Sequence, residues 1–131
     1  MRVLLDTHIA VWAMQNSSRL SETARDLLGA SETHVFVSAV SIWEITIKHA
    51  LGRGPPSGID FSGQEAINFL DSSGVDFLAV TKEHAARVGT LPSIHNDPFD
   101  RLLVAQALHE PLRLVTHDKR VASYSNSFLL V

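Results

Sequence analysis

Four acidic residues stand at positions where an α/β chain collects ligands. Asp6 directly follows the apolar run 2–5, Glu44 sits inside an apolar helical stretch, Asp100 comes two residues after Pro98, and Asp118 follows a further apolar run at 112–115 after Thr116 and His117. Carboxylates that converge without cationic partners repel and raise one another's pKa, so a cluster of this kind persists by binding a divalent cation. The chain contains no cysteine, which excludes disulfides and thiolate ligands and points to an oxygen-preferring ion, Mg²⁺ or Mn²⁺. Held by carboxylates, such an ion activates water and stabilises charge on the leaving oxygen of a phosphodiester, with no covalent nucleophile. Lys48, Arg101, Lys119 and Arg120 lie within a few residues of these acids and are candidates to meet substrate phosphates.

Taken singly, each acid also has a structural reading. Asp97-Pro98-Phe99-Asp100 fits helix capping, with Asp97 at N-cap, Pro98 at N1 and Asp100 at N3 in a capping-box pattern. An acid at N3 can still aim an oxygen at a metal, so Asp100 is kept in the site and Asp97 is assigned mainly to the cap. Glu44 and Lys48 at i and i+4 read as a solvent-exposed pair, Asp6 as an N-cap and Asp118 as a turn aspartate. The functional reading rests on all four occurring in order in the expected elements. His8, His95 and His117 each lie within two residues of an acid, but no pair has the HxxxH spacing of a zinc helix, and they read as neighbours of the carboxylates or as phosphate contacts. Trp12 and Trp43 read as core or dimer-interface packing.

Positioning these acids requires strands that end where helices begin. Residues 2–5 form a short strand, 9–14 a helix broken at Asn16-Ser17-Ser18, and a second helix opens at Ser21 with Leu20, Ala24, Leu27 and Leu28 at three-to-four spacing before Gly29. Strand 34–37 leads through Ser38 into a long helix ending at Gly52. The Gly-, Pro- and Ser-rich stretch 53–63 is a loop, followed by a helix at 64–72, a strand at 76–80 and a helix capped by Thr81 that runs to about Leu91. Asp97-Pro98 opens a helix that continues to 109 and stops at Pro111. Strands at 112–115 and 127–131, with a short helical turn between them, complete the chain. Apolar strands alternating with helices, without the alternation of a half-exposed sheet, predict a single three-layer α/β/α domain over 1–131 with a mainly parallel central sheet covered on both faces.

The chain has 131 residues, 45% of them hydrophobic, which suits one compact core. Its net charge of −3, from 11 basic and 14 acidic residues, is not the footprint of a protein that grips nucleic acid through bulk positive charge. With the four clustered acids set aside, the remaining charges nearly balance. Neither a signal-peptide pattern nor an 18-residue apolar span is present, so a cytoplasmic protein without membrane contact is expected.

Four blocks resemble a known family: LLDTHIAVWA at 4–13, SIWEITIKHALG at 41–52, HNDPFDRLLVAQA at 95–107 and LVTHDKRVASY at 114–124. Together they resemble the PIN-domain ribonucleases, and in particular the VapC-type toxins of toxin–antitoxin pairs, from residue 4 to 124. The resemblance implies that Asp6, Glu44, Asp100 and Asp118 are the catalytic, metal-binding acids, with Thr116 as a polar neighbour. It also implies a Mg²⁺- or Mn²⁺-dependent endoribonuclease acting on single-stranded or loop RNA, usually a homodimer, inhibited by a small antitoxin protein. The loop at 53–63 matches nothing in that pattern and lies where such toxins vary. A haloacid-dehalogenase phosphatase needs an acid where His8 stands, and a receiver domain needs an acidic pair before the first helix and a Lys after the last strand, neither of which is evident. The remaining alternative is a PIN-like module that binds RNA or protein without cutting, which the intact acids disfavour.

Overall fold

The computed structural model describes residues 1–52 and 58–131. Strand β1 (Arg2–Leu5) is followed by helices α1 (Thr7–Gln15) and α2 (Glu22–Gly29), then by β2 (His34–Ser38) and the long helix α3 (Ala39–Ala50). After the segment 53–57 come α4 (Gly63–Ser72), β3 (Asp76–Leu78), α5 (Lys82–Arg87) with a 3₁₀ turn at Val88–Thr90, α6 (Pro98–His109), β4 (Arg113–Thr116), α7 (Lys119–Ala122) and β5 (Leu129–Leu130). The five strands form one sheet in the order β3-β2-β1-β4-β5, and every pairing is parallel. This is the α/β/α architecture that the alternation of apolar strands and helices predicts.

Both sheet faces are covered, as parallel strands require. Leu4 and Leu114, paired in register, face a core of Leu103, Val104 and Val121 from α6 and α7. Their neighbours Val3, Leu5 and Val115 point to the other side, against Ile9, Ala24 and Leu70 from α1, α2 and α4. Successive strand side chains alternate faces, so uninterrupted apolar runs serve both layers at once.

The strand order also fixes where ligands collect. The chain moves outward from β1 through β2 to β3, then crosses to the other side of β1 for β4 and β5. The connections leaving β1 and β4 therefore diverge, and a crevice opens beyond the carboxyl ends of these two strands. Asp6 ends β1 at that point, its N–H donating to Val115 O at 3.0 Å.

Several boundaries differ from those read in the sequence. Strand β3 stops at Leu78 rather than residue 80, because it is an edge strand paired only with β2, and the Ala79 carbonyl accepts from Gln106 Nε2 instead. Strand β5 shortens to two residues at the opposite edge. The helix opened by Thr81 tightens to a 3₁₀ turn after Arg87, where Arg101 Nη2 donates to the Val88 carbonyl. Of the loop at 53–63, residues 53–57 lie outside the described residues, and Gly63 is already the first residue of α4.

Helix α4 packs on α3 through a close approach at Gly63. A Cβ there would stand 2.1 Å from Thr46 Oγ1 and 3.5 Å from the Ile42 carbonyl oxygen. Thr46 is β-branched and bonded to that same carbonyl at 2.8 Å, so it has little freedom to yield. Gly63→Ala is therefore expected to destabilise the fold by about 1–3 kcal/mol, read as a lower midpoint in urea unfolding with an unchanged slope. A midpoint at or above wild type would mean that the α3–α4 contact is looser than described.

Candidate functional site

Two of the four predicted acids, Asp6 and Asp118, cap helices at the crevice, and Asp97 caps the helix that carries a third. Asp6 is the N-cap of α1: Oδ1 accepts from the N–H groups of His8 at 2.8 Å and Ile9 at 3.4 Å. Asp118 caps α7 in the same way, accepting from Arg120 N at 2.7 Å and Val121 N at 3.4 Å. Asp97 caps α6, accepting from Phe99 N and Asp100 N at 2.8 and 3.2 Å, which leaves the Asp100 carboxylate to point into the crevice. The reciprocal half of the expected capping box is absent, because the Asp97 N–H donates to His95 Nδ1 at 3.0 Å rather than to Asp100.

Thr116, at the end of β4, links two of these acids. Its hydroxyl donates to Asp6 Oδ2 at 2.7 Å and accepts from the Asp118 N–H at 3.0 Å. A hydroxyl has one proton, so its direction is fixed. Glu44 reaches the crevice from α3, with 4% of its surface exposed. Lys48 Nζ donates to its Oε2 at 2.8 Å, while Oε1 is buried without a hydrogen-bond partner among the described residues. The solvent-exposed pair that the i,i+4 spacing suggests is thus corrected: the acid is buried because α3 turns that face toward α1. Beside it, Thr7 and Ser41, both buried, join the two helices by a 2.9 Å hydroxyl bond.

The electrostatics centre on Asp100. Burial, followed by the charges of Asp6, Asp97, Glu44 and Asp118, pushes its carboxyl up to about 7. Asp6 is likewise raised, chiefly by burial and against the Thr116 hydroxyl bond. For Asp118, burial acts upward, but the Arg120 N–H and the contact with His95 outweigh it and hold the carboxyl below its ordinary value.

The candidate cations divide. Lys48 stays at the site on Glu44, and Lys119 is exposed on α7 beside Asp118. Arg101 does not face the crevice as a phosphate contact would. Its Nη1 donates to the carbonyls of Pro92 and His95 and to Tyr124 Oη, and its Nη2 to the Val88 carbonyl, so it braces the loop before α6. Arg120 lies 3.9 Å from Asp118 and is largely exposed.

Of the three histidines that the sequence places near the acids, His95 alone lies between two of the carboxylates. His95 Nε2 lies 3.3 Å from Asp100 Oδ2 and 3.2 Å from Asp118 Oδ2, and the donor atoms of these three residues fall within 4.8 Å of one another. The signal available was its place two residues before Asp97, which is not distinctive without the loop geometry. His8 and His117 instead flank Trp12, with ring centroids at 5.9 and 5.4 Å. A second histidine–acid group, His84, His109 and Glu110, lies toward the other end of α6. There His84 Nδ1 accepts from the Thr81 N–H and Nε2 is bonded to Glu110, so that ring serves as a buried cap.

A groove of about 530 Å³ is lined by His8, Trp12, Arg19, Lys48, Ile59 and Asp60 among others, and by none of the four acids. Lys48 stands where the groove meets Glu44.

The model of the PIN domain family matches residues 3–126. The chain belongs to the PIN domain family. It is 30% identical to "Ribonuclease VapC22" of Mycobacterium tuberculosis, covering 93% of this chain and 91% of that protein. Among solved structures, this PIN domain superposes on VapBC2 from Rickettsia felis, bound to a DNA fragment from its promoter, with a TM-score of 0.69 at 17% identity over 100% of this chain and 98% of that one. It superposes on Mycobacterium tuberculosis VapC20, described as a sarcin-ricin loop cleaving toxin, with a TM-score of 0.67 at 16% identity over 98% of each chain. These two likenesses establish the fold of the PIN domain.

The raised Asp100 carboxyl has a stability consequence. Its folded pKa of about 7 exceeds its ordinary value of 3.8, so between these values the unfolded chain ionises while the folded one keeps the proton, and stability falls as pH rises through that window. Asp100→Asn removes this loss. In EDTA at pH 8 the variant is expected to melt about 4–8 °C above wild type, the equivalent of about 1–2 kcal/mol, with the gap closing toward pH 4. A variant that melts at or below wild type at pH 8 would contradict the electrostatic picture.

Proposed function

We propose that this PIN domain is a divalent-cation-dependent endoribonuclease, the toxin of a toxin–antitoxin pair, cutting single-stranded or loop RNA, with Asp6, Glu44, Asp100 and Asp118 as its catalytic, metal-binding acids. The observation that carries the reading is the buried, unpartnered Glu44 Oε1 beside an Asp100 carboxyl whose ionisation is opposed by three of its fellow acids. Buried polar atoms normally have a partner, and a dication supplies it while offsetting the crowded negative charge. The all-oxygen donor set of the four acids fits Mg²⁺ or Mn²⁺.

Such a cation activates water and stabilises charge on the leaving oxygen of a phosphodiester. The protein's own groups do the rest. The helix caps hold Asp6 and Asp118 rigidly, Thr116 fixes the Asp6 carboxylate, and Asp100 projects between them. Lys48 and Lys119 are placed to meet phosphates of an RNA strand, whereas Arg101 is excluded from that role by its internal bonds. The groove beside Lys48 is the proposed path of the strand or of an inhibitory antitoxin segment, in keeping with the VapC and VapBC relatives. A cytoplasmic site without membrane contact is part of the proposal; no helix among the described residues is long and apolar enough to cross a membrane.

Incubation with a mixed RNA pool and Mg²⁺ or Mn²⁺ is expected to give discrete cleavage products that EDTA abolishes and that Asp100→Asn reduces by about 10³-fold or more. Cleavage persisting in EDTA, or at wild-type rate in the folded variant, would sink the assignment and favour a binding module.

A homodimer is the proposed assembly. Trp43 and Ile47 on α3 and Leu51 at its C-cap follow at four-residue spacing and are 59%, 38% and 58% exposed. Trp43 packs edge-on against Phe99 and is otherwise largely exposed, so of the core and interface readings the interface is retained for it. A contiguous apolar stripe of this kind marks a contact surface. Sedimentation equilibrium is expected to give twice the 14.4 kDa chain mass, reverting to the monomer in Trp43→Glu. A monomeric wild type at micromolar concentration would refute the proposal.

A further inference from the structure

We propose that His95 is a positioning residue, locked in its Nε2–H tautomer, whose single ring proton joins Asp100 to Asp118 and sets their spacing for the cation. The inference rests on the metal-centre reading above. Three observations carry it.

First, the tautomer follows from the backbone. Nδ1 accepts the Asp97 N–H at 3.0 Å, so in the neutral ring the proton is on Nε2. That atom is hydrogen-bonded to Asp118 Oδ2 at 3.2 Å and stands 3.3 Å from Asp100 Oδ2, so the positive end of one N–H dipole lies between two carboxylate oxygens and offsets their repulsion. Second, the same fact removes His95 from the ligand set, although its distance alone would admit it. Ligation through Nε2 would require the proton on Nδ1, directed at the Asp97 N–H, and would take from that N–H its acceptor. Third, the ring is held from behind. The His95 N–H donates to Tyr124 Oη at 2.9 Å, its carbonyl accepts from Arg101 at 3.3 Å, and Tyr124 Oη in turn donates to the Pro92 carbonyl. The side chain is only 9% exposed. Such outer groups typically contribute to metal affinity by orienting the ligands.

Two near-isosteres separate the two halves of the ring. Gln can place an amide N–H where Nε2 stands, keeping the donor to the carboxylates. Asn can place an oxygen near Nδ1, keeping the acceptor for Asp97 but losing that donor. The test is Mn²⁺ binding by calorimetry to the full chain, alongside long-range ¹H–¹⁵N spectra of the wild-type rings. The expected results are a bare Nδ1 and a protonated Nε2 at His95, His95→Gln within about threefold of wild-type Mn²⁺ affinity, and His95→Asn about tenfold or more weaker at similar melting temperature. A proton on Nδ1, an Asn variant that binds like wild type, or a Gln variant as weak as Asn would each overturn the proposal. Should His95→Asn fail to fold, the spectra and the Gln variant still decide it. Mn²⁺ binding in the expected order without RNA cleavage would refute the ribonuclease reading and leave this one standing. A wild type that binds no Mn²⁺ would overturn both this proposal and the metal centre.

Discussion

The hydroxyl of Thr116 is the bond on which the site depends. It donates to Asp6, at the end of β1, and accepts from the N–H of Asp118, beyond the end of β4. The two central strands are thereby tied at the point where their connections part, and two acids 112 positions apart in sequence share one buried atom. The parallel register of β1 and β4 brings the strand ends level, and the hydroxyl converts that alignment into a fixed relation between carboxylates.

Around that bond the caps engage one oxygen of each capping acid and leave the other free of them. Asp6 and Asp118 each spend Oδ1 on a helix cap, and cap and helix dipole both favour a carboxylate there. Asp97 takes the cap of α6 alone, which frees Asp100 for the crevice. The crowding this creates is unfavourable in the absence of a cation, as the raised Asp100 carboxyl records. A chain that keeps such a cluster trades stability for a binding capacity, and burial and strain of this kind concentrate at functional sites.

Positive charge is used sparingly. Arg101 is consumed by the loop that carries His95, and Lys48 is engaged by Glu44. Only Lys119 and Arg120 stand largely in solvent near Asp118. With the four acids set aside the remaining charges nearly balance, so bulk positive charge does not dominate the chain.

The sequence by itself determined the layers and the order of the acids. Apolar runs at 2–5, 34–37 and 112–115 alternate with helices of clear period, and a parallel sheet follows because both faces must be covered. Capping residues such as Asp97-Pro98 and Thr81 mark helix starts through local backbone chemistry that needs no tertiary partner. The edge strands β3 and β5 were misjudged in length, because how far an edge strand extends depends on the partner beside it. The surroundings of Glu44, Arg101 and His95 were decided only by the tertiary structure. Whether an i,i+4 pair is exposed, whether an arginine faces a ligand or a carbonyl, and which carboxylates an imidazole N–H meets all depend on how the elements pack. His95 acquires its role because α6 and α7 begin side by side, an arrangement set by the crossover from β3 to β4 and not by any spacing along the chain.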